Sequence, residues 1–547
     1  MNMIDRFRHC HRAPFARFGT SVVAAALLVG CANAAPRPNQ PLPAPSVQAA
    51  APTAAATTTT DTTASDLAAR INAFLAKPRF DTGHWGISVV SLDTGRVLYT
   101  HNADKLAIPA SNTKLYTTAL ALSTLGGDYH ITTSLYATAK PRGQTLDGDL
   151  ILYGRGDPTL GTGNDTHTPT DWADNMAAAL ASRGVTRVSG AIIADDTYFS
   201  APLIPPGWEA RDLQSWWAPP ASALTVQGNM FAMEVNPTDG LCCEITTTPA
   251  KPGVHIINLT QTNPSASRGD LGIYRPPGSR QLYIYGAMRP RARTRRFVLS
   301  SPDPARMAGE LLLEAMVRHG IRVDGGVKTL HWPRTDEAMG APDTIEIADV
   351  RSPPLGDIVH HTLKHSDNLY AQLLLLQAGK HVEQTGDCAD RAGVPRTTLG
   401  WARCGMRAML RKAGIEQQHA IFEEGSGLSH KDLVTPRATT TLLAWATQQP
   451  FFKVYRKALP IAGVDGTLEH RMRHTAAARN LRAKTGTLRY SYTLSGYVTA
   501  ASGEHLVFSL MLNEYAQPRN SQGSRVGPSP RNDLDAVAEM LADYGKH

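Results

Sequence analysis

A serine hydroxyl is a poor nucleophile unless a base sits beside it, and a lysine can be that base where desolvation or nearby positive charge lowers its pKa toward neutrality. Ser111-Asn112-Thr113-Lys114 offers such a pair. It follows Ile108-Pro109-Ala110 and opens the helical stretch LYTTALALSTLG, where positions i and i+3 share a face and the hydroxyl and amine can meet. Taken alone, a capping serine and a surface lysine explain it as well, although no other Ser-x-x-Lys occurs in the chain. Ser366-Asp367-Asn368 is the only Ser-x-Asn and precedes the apolar run LYAQLLLLQAG. A second hydroxyl can relay a proton between a leaving group and a lysine, and a carboxamide can hold a substrate amide; a helix cap is the plainer reading. Lys484-Thr485-Gly486-Thr487 lies in the strand-like LRAKTGTLRY. Beside a cleft, a strand edge can pair with an extended peptide, Gly486 would permit close approach, and Lys484 with Thr485 could hold a carboxylate.

Three sets of elements must bring these residues together. The folded body starts near Ser65, which can cap a helix with Leu67, Ile71, Phe74 and Leu75 on one face. GISVVSL and RVLYT flank Asp93-Thr94-Gly95 as a hairpin, and SYTLSGYVTA and HLVFSLMLN flank Ser502-Gly503-Glu504 as another. A last helix runs from about Asp533. Between Gly127 and about Ser300 the texture is short strands and Gly/Pro turns; helical patterns return with Ala305–Gly320 and continue to Pro460. Strands at both ends with helices between them predict one α+β domain split by a β-rich insert. The expected divisions are 65–130 and 301–547 for the two halves, and 131–300 for the insert.

The chain has 547 residues, with 55 Lys+Arg against 47 Asp+Glu and six Cys. It is too long for one ordinary core and too sparse in cysteine for a disulfide scaffold. Four arginines against Asp5 in residues 1–31 account for +3 of the formal +8, so the body carries no charge that calls for nucleic acid. Those arginines precede the short apolar run SVVAAALLVG, the order of an export signal. Leu28-Val29-Gly30-Cys31 resembles a lipobox, which would lipidate Cys31 and associate the chain with a membrane, whereas Ala32-Asn33-Ala34 suits ordinary signal cleavage. Residues 32–64, rich in Pro, Ala and Thr, read as an extended tether. Either route exports the chain to the periplasm or beyond.

Each motif alone is weak, but together they occur once each, in the order Ser-x-x-Lys, Ser-x-Asn, Lys-Thr-Gly, which marks penicillin-binding proteins and serine β-lactamases. The 255 residues from Ser111 to Ser366 narrow the resemblance to the low-molecular-mass class C penicillin-binding proteins, the D-alanyl-D-alanine carboxypeptidase/endopeptidase family. Gly156-Asp157-Pro158-Thr159-Leu160, Pro219-Pro220-Ala221-Ser222-Ala223-Leu224, Gly425-Ser426-Gly427-Leu428-Ser429 and Val464-Asp465-Gly466-Thr467-Leu468 resemble family segments, over about Ser65 to Gly545. Glu424 stands where the family usually has Asp, and Gln227-Gly228 where Asn is common. The resemblance implies a β-lactamase/transpeptidase-like catalytic domain, an antiparallel sheet flanked by helices, carrying large β-rich insertions. It implies acyl transfer through Ser111, with Lys114 as base, Ser366 and Lys484 in proton relay, and Asn368, Thr485, Gly486 and Thr487 binding substrate. The backbone N–H groups of Ser111 and Thr487 would form the oxyanion hole. The implied partners are peptidoglycan stem peptides and, as covalent inhibitors, β-lactams; no cofactor or metal is required. A β-lactamase or esterase using the same motifs, or an inactive envelope penicillin binder, are the alternatives.

His360, His361 and His365 include an i,i+4 pair that could ligate zinc, but no Glu completes a metalloprotease pattern, and a structural or solvent role is preferred. Arg289, Arg291, Arg293, Arg295 and Arg296 fit the solvent face of an edge strand better than a phosphate site. Cys388 and Cys404 are close enough in sequence to bridge, whereas the adjacent Cys242 and Cys243 have no assignable partners. If Ser111 is the nucleophile, Ser111→Ala abolishes covalent labelling by penicillin, and mass spectrometry of the tryptic adduct locates the label on the Ser111 peptide; an adduct on any other serine overturns the assignment.

Overall fold

The computed structural model describes residues 62–546, apart from 164–167, 241, 268–269, 336, 387 and 389–395. The export signal, Cys31 and the tether up to residue 61 lie outside the described residues. The first helix spans Thr62–Leu75, three residues ahead of the expected cap at Ser65, so Ser65 lies within it.

The sheet that carries the site is built from both ends of the chain. Its order is Arg482–Leu488, Ser491–Thr499, His505–Asn513, His84–Ser91, Val97–His101, antiparallel throughout. Alternation along His505–Asn513 assigns the two faces. Leu506, Phe508, Leu510 and Leu512 pack with Leu67, Ile71 and Phe74 of the first helix and Leu534, Val537 and Leu541 of the last, Pro530–Ala542. Val507 and Met511 point the other way, into a larger core with the helices Thr113–Leu125, Leu355–His365, Asn368–Thr385, Thr398–Lys412 and Pro436–Ala446. Both expected hairpins form, at Ser91–Val97 and Thr499–His505.

The insert divides into two bodies with separate cores. In the first, the sheet order is Val327–Leu330, Ile192–Asp195, Leu150–Tyr153, Thr132–Ala137, Ile345–Arg351, covered by Asp171–Ala181 and Pro304–Arg318. Ile345–Arg351 pairs antiparallel with Thr132–Ala137, which carries the insert on to Arg351 rather than ending it at 300. The helix Pro304–Arg318 belongs here and not with the second catalytic half, because Leu311, Leu312 and Met316 pack against Ile192 and Leu150. The second body is nested in the first. Two three-stranded sheets, Arg295–Ser300 with Met230–Asn236 and Glu244–Thr248, and His255–Thr262 with Gln281–Met288 and Gly272–Tyr274, enclose Phe231, Met233, Leu282 and Ile284. Of the arginine run, Arg289, Arg291 and Arg293 lie in a turn and only Arg295 and Arg296 reach the strand, an edge strand as expected, where Arg296 pairs with Glu234 at 2.8 Å.

Cys388 and Cys404 are joined by a disulfide across 16 residues, with Cα atoms 5.9 Å apart, and Cys404 lies on the helix Thr398–Lys412 against Val382 and Trp401. Closing a loop of that length removes about 3 kcal/mol of chain entropy from the unfolded state. Replacing both cysteines by serine is expected to lower the denaturation midpoint of the catalytic body accordingly, measured by urea titration, while penicillin labelling persists.

Candidate active site

Ser111 sits in a single 3-10 turn, Ala110–Asn112, that runs directly into the helix Thr113–Leu125. The helix N-terminus places its free N–H groups and partial positive charge at the hydroxyl. Ala110 is held at φ +47°, a left-handed conformation that costs a non-glycine residue about 1–2 kcal/mol. What holds it is packing: Gly427, at φ +82°, presses on Ala110 so closely that a Cβ at 427 would lie 1.9 Å from the Ala110 carbonyl oxygen. On the other side Asn112 donates to Ser495 Oγ at 2.6 Å, tying the turn to the sheet.

Lys114, one helical turn on, is fully buried. Its Nζ donates to Ser111 Oγ at 3.0 Å, Asn368 Oδ1 at 2.6 Å and the Ser426 carbonyl at 2.6 Å. Burial pushes its pKa down to about 8, against the opposing pull of Glu424, Asp367 and Asp432. The last two partners are carbonyl oxygens with no hydrogen to give. A neutral Lys114 therefore keeps its two N–H bonds on them and turns its lone pair to Ser111, the one partner with a proton.

Ser366 and Asn368 come from the junction of two helices. Ser366, at φ +60°, ends Leu355–His365, and Asp367 caps Asn368–Thr385 by accepting from the Tyr370 N–H at 3.1 Å. Lys484, on the edge strand Arg482–Leu488, donates to Ser366 Oγ at 2.9 Å and to the Thr485 carbonyl at 2.7 Å. It is fully buried, and desolvation, with Lys114 and Arg471 nearby, holds its pKa well below the ordinary lysine value. Asn368 uses both ends within the protein: Oδ1 accepts from Lys114, and Nδ2 donates to the Trp217 carbonyl at 2.7 Å. One N–H and one lone pair of the carboxamide remain for a substrate amide. Thr485 Oγ1 bonds Thr467 at 2.8 Å, and Thr487 lines the cleft. Gly486 serves differently from the expectation. The space of its missing Cβ is taken by Thr493 Oγ1 at 2.1 Å and the Pro109 carbonyl at 2.8 Å, so the close approach is to the chain preceding Ser111.

Several residues that build the site make contacts that no local sequence pattern shows. Glu424 is buried and accepts from the N–H groups of Ser426 at 2.6 Å, Gly427 at 2.5 Å and Ser429 at 3.3 Å, which shapes the turn whose carbonyl meets Lys114. Asp432 accepts from Thr113 Oγ1 at 3.2 Å, and burial beside Glu424 holds its carboxyl well above the usual range. Lys364 grips Asp465 at 2.6 Å and the Leu459 carbonyl at 2.7 Å, fixing the loop that presents Thr467 to Thr485. The quoted segments Gly425–Ser429 and Val464–Leu468 pointed at two of these loops, but not at the contacts they make.

The cleft over Ser111 measures about 950 Å³, and its walls include Trp216, Trp217, His361, His430, Arg471 and Arg489. His361 stacks on Tyr370 with ring centroids 4.3 Å apart and lies 3.5 Å from Asp367. Among the described residues no group of His, Cys, Asp or Glu is arranged to hold a metal ion.

A hydroxyl on a helix N-terminus with a buried lysine beside it, a second hydroxyl–lysine pair, and an edge strand alongside define a serine acyl-transfer enzyme of the β-lactamase/transpeptidase-like class. Residues 67–529 match the model of the D-Ala-D-Ala carboxypeptidase 3 (S13) family, and the chain belongs to that family. It is similar to the D-alanyl-D-alanine carboxypeptidase of Actinomadura sp. (strain R39), 32% identical over 502 residues that cover 88% of this chain and 86% of that one. The D-alanyl-D-alanine carboxypeptidase DacB of Haemophilus influenzae is 25% identical over 446 residues, 79% of this chain and 85% of that one. The fold is shared with the crystal structure of penicillin-binding protein 4 (dacB) from H. influenzae, at a TM-score of 0.72 and 23% identity over 88% of this chain and 99% of that one.

The contact between Gly427 and Ala110 makes a direct test of the packing that sets Ser111. Gly427→Ala adds a clash with backbone and strain at positive φ, and is expected to cost about 2–4 kcal/mol of stability and to slow acylation more than tenfold. Thermal melts and penicillin labelling rates measure the two effects.

Proposed function

We propose that this protein is a serine D-Ala-D-Ala carboxypeptidase/endopeptidase that cleaves peptidoglycan stem peptides or their cross-links through an acyl-enzyme on Ser111. The observation that carries this is the placement of Lys114 Nζ, buried 3.0 Å from Ser111 Oγ with its other hydrogen bonds on acceptors that cannot donate. Lys114 takes the Ser111 proton as Oγ attacks the carbonyl carbon of the penultimate D-alanine. The backbone N–H groups of Ser111 and Thr487 receive the developing oxyanion. The proton that Lys114 has taken passes on through Ser366 to the leaving amine, which leaves Lys114 neutral again, and Lys484, 2.9 Å from the Ser366 hydroxyl, supports that relay electrostatically. Asn368 orients the substrate amide, and Thr485 and Thr487 hold the terminal carboxylate on the edge strand beside Lys484. Water then releases the peptide and restores Ser111.

A β-lactam presents the same carbonyl on a ring that cannot leave, so it acylates Ser111 and stays. The H. influenzae fold relative has been crystallised in complex with a β-lactam, which supports this reading. A substrate in the cell wall puts the enzyme in the periplasm or otherwise outside the cytoplasmic membrane. Lipidation of Cys31 would hold it there on the tether, and radiolabelled palmitate incorporation, lost in Cys31→Ala, decides between that and ordinary cleavage. Incubation with labelled penicillin separates the enzyme readings: a long-lived adduct marks a penicillin-binding DD-peptidase, rapid turnover a β-lactamase, and no adduct an inactive binder.

Acylation needs Lys114 neutral. With its pKa at about 8, the neutral fraction grows as pH rises, so the acylation rate is expected to climb through about pH 8 and level off above it, as stopped-flow penicillin binding measures. Lys114→Ala removes the base and is expected to lower that rate by about 10²–10⁴-fold; a rate within tenfold of wild type would assign the proton to another group.

A further inference from the structure

The nested body, residues 230–300, meets the cleft at Met230 and through a strap of chain that it holds. Residues 209–218 run in successive turns past the mouth, with Asp212 N–H on the Glu209 carbonyl, Ser215 N–H on the Asp212 carbonyl and Ala218 N–H on the Ser215 carbonyl. At its tip Trp216 and Trp217 stand 57% and 39% exposed, edge to face with centroids 5.8 Å apart, as one wall of the cleft that holds Ser111. Catalytic contact is made at one end, where the Trp217 carbonyl accepts from Asn368.

The other end belongs to the nested body. Arg275, just past the strand Gly272–Tyr274, sends its guanidinium to the Leu213 carbonyl and, at 3.1 Å, to Ser300 Oγ. Its backbone N–H donates to Gln214 Oε1 at 2.9 Å. Ser300 adds its hydroxyl to the same Leu213 carbonyl at 2.5 Å and its N–H to the Gln214 carbonyl at 3.1 Å, and Ser215 bridges to Leu299. These contacts employ a half-buried cation on carbonyl and hydroxyl oxygens rather than on a carboxylate, and burial pushes its pKa down to about 10. An arginine desolvated with no countercharge among the described residues is a costly way to join two surfaces. It is an effective way to fix one loop, because a planar charged donor sets direction as well as distance.

Resting on the DD-peptidase reading above, we propose that Arg275 is a positioning residue for this reaction: through Leu213 and Gln214 it holds Trp216–Trp217 as the wall that long, cross-linked peptides contact and small β-lactams do not. The nested body thereby sets substrate selection at a site to which it contributes no reacting group.

The test uses the whole protein with Arg275→Met, which keeps bulk and removes the donors, and Ser300→Ala, which removes one bond to Leu213. Two rates are compared: acylation by benzylpenicillin, and steady-state hydrolysis of a synthetic cross-linked stem-peptide dimer. Arg275→Met is expected to raise KM for the dimer about tenfold, the scale of one hydrogen bond to a charged group, with kcat and penicillin acylation within about twofold. Ser300→Ala is expected to give a change of about threefold in the same direction, and decides the matter should Arg275→Met not fold. In a background carrying both Trp216→Ala and Trp217→Ala the Arg275→Met effect on the dimer should vanish, since the wall it positions is gone. A parallel fall in both rates, unchanged kinetics in both variants, or additive effects with the double tryptophan variant would each overturn the proposal. Absence of any penicillin adduct on the wild-type protein would instead overturn the reading of Ser111 itself.

Discussion

Lys114 and Lys484 are both fully buried in one site, and an ammonium removed from water persists only where acceptors and countercharge replace its hydration. Much of the surrounding structure follows from that constraint. The Ser426 and Thr485 carbonyls and the Asn368 carboxamide accept from the two amines. Glu424 and Asp367 supply negative charge to Lys114. Glu424 has a second task, because its oxygens gather the N–H groups that bend the Ser426 turn. The balance leaves Lys114 near the point where it can lose its proton, and burial, with Lys114 and Arg471 as neighbours, holds Lys484 well below the ordinary lysine value. One dry pocket thus prepares two amines for proton transfer.

The parts of this arrangement legible in the sequence are those whose geometry is local. Ser111 and Lys114 meet because three residues of helix bring them together, and the positions of the Ser366 and Lys484 motifs follow from a helix start and a strand before a hairpin. The family resemblance joined the three. The supports of the site are long-range and were not legible. No spacing rule links Ser426 to Lys114 or Trp217 to Asn368, and Gly486 looked like room for a ligand when its space is filled by Thr493 and Pro109. The end of the insert, expected at 300, lies at Arg351 for the same reason. Ile345–Arg351 is strand-like on its own, but only its pairing with Thr132–Ala137 shows to which body it belongs.

The insertions follow a simple geometric rule. The chain leaves the catalytic body after the Ser111 helix and returns before the helix that ends in Ser366, so both crossings lie at the helix ends remote from the cleft, where the Leu355 N–H donates to the Tyr129 carbonyl and the Gly356 N–H to the Gly127 carbonyl. Such pairing recurs one level down. Met230 pairs with Ser300 at the entrance and exit of the nested body, and the Ser301 N–H donates to the Asn229 carbonyl. Each insertion is therefore closed at its neck by backbone pairing, which lets it grow in sequence without moving the catalytic elements.

A sheet assembled from both ends of the chain also fixes an order of events during biogenesis. His84–Ser91 pairs on one side with Val97–His101, made moments later, and on the other with His505–Asn513, made about 400 residues later. Until those arrive, one edge of an apolar strand stays open, and contacts of such sequence separation form slowly. The edge strand bearing Lys484 reaches the sheet through the same late hairpin. A chain translocated only as far as the insert can hold that insert folded but not an assembled nucleophile site, so the hydrolase gains its activity only after the polypeptide through Asn513 has crossed the membrane.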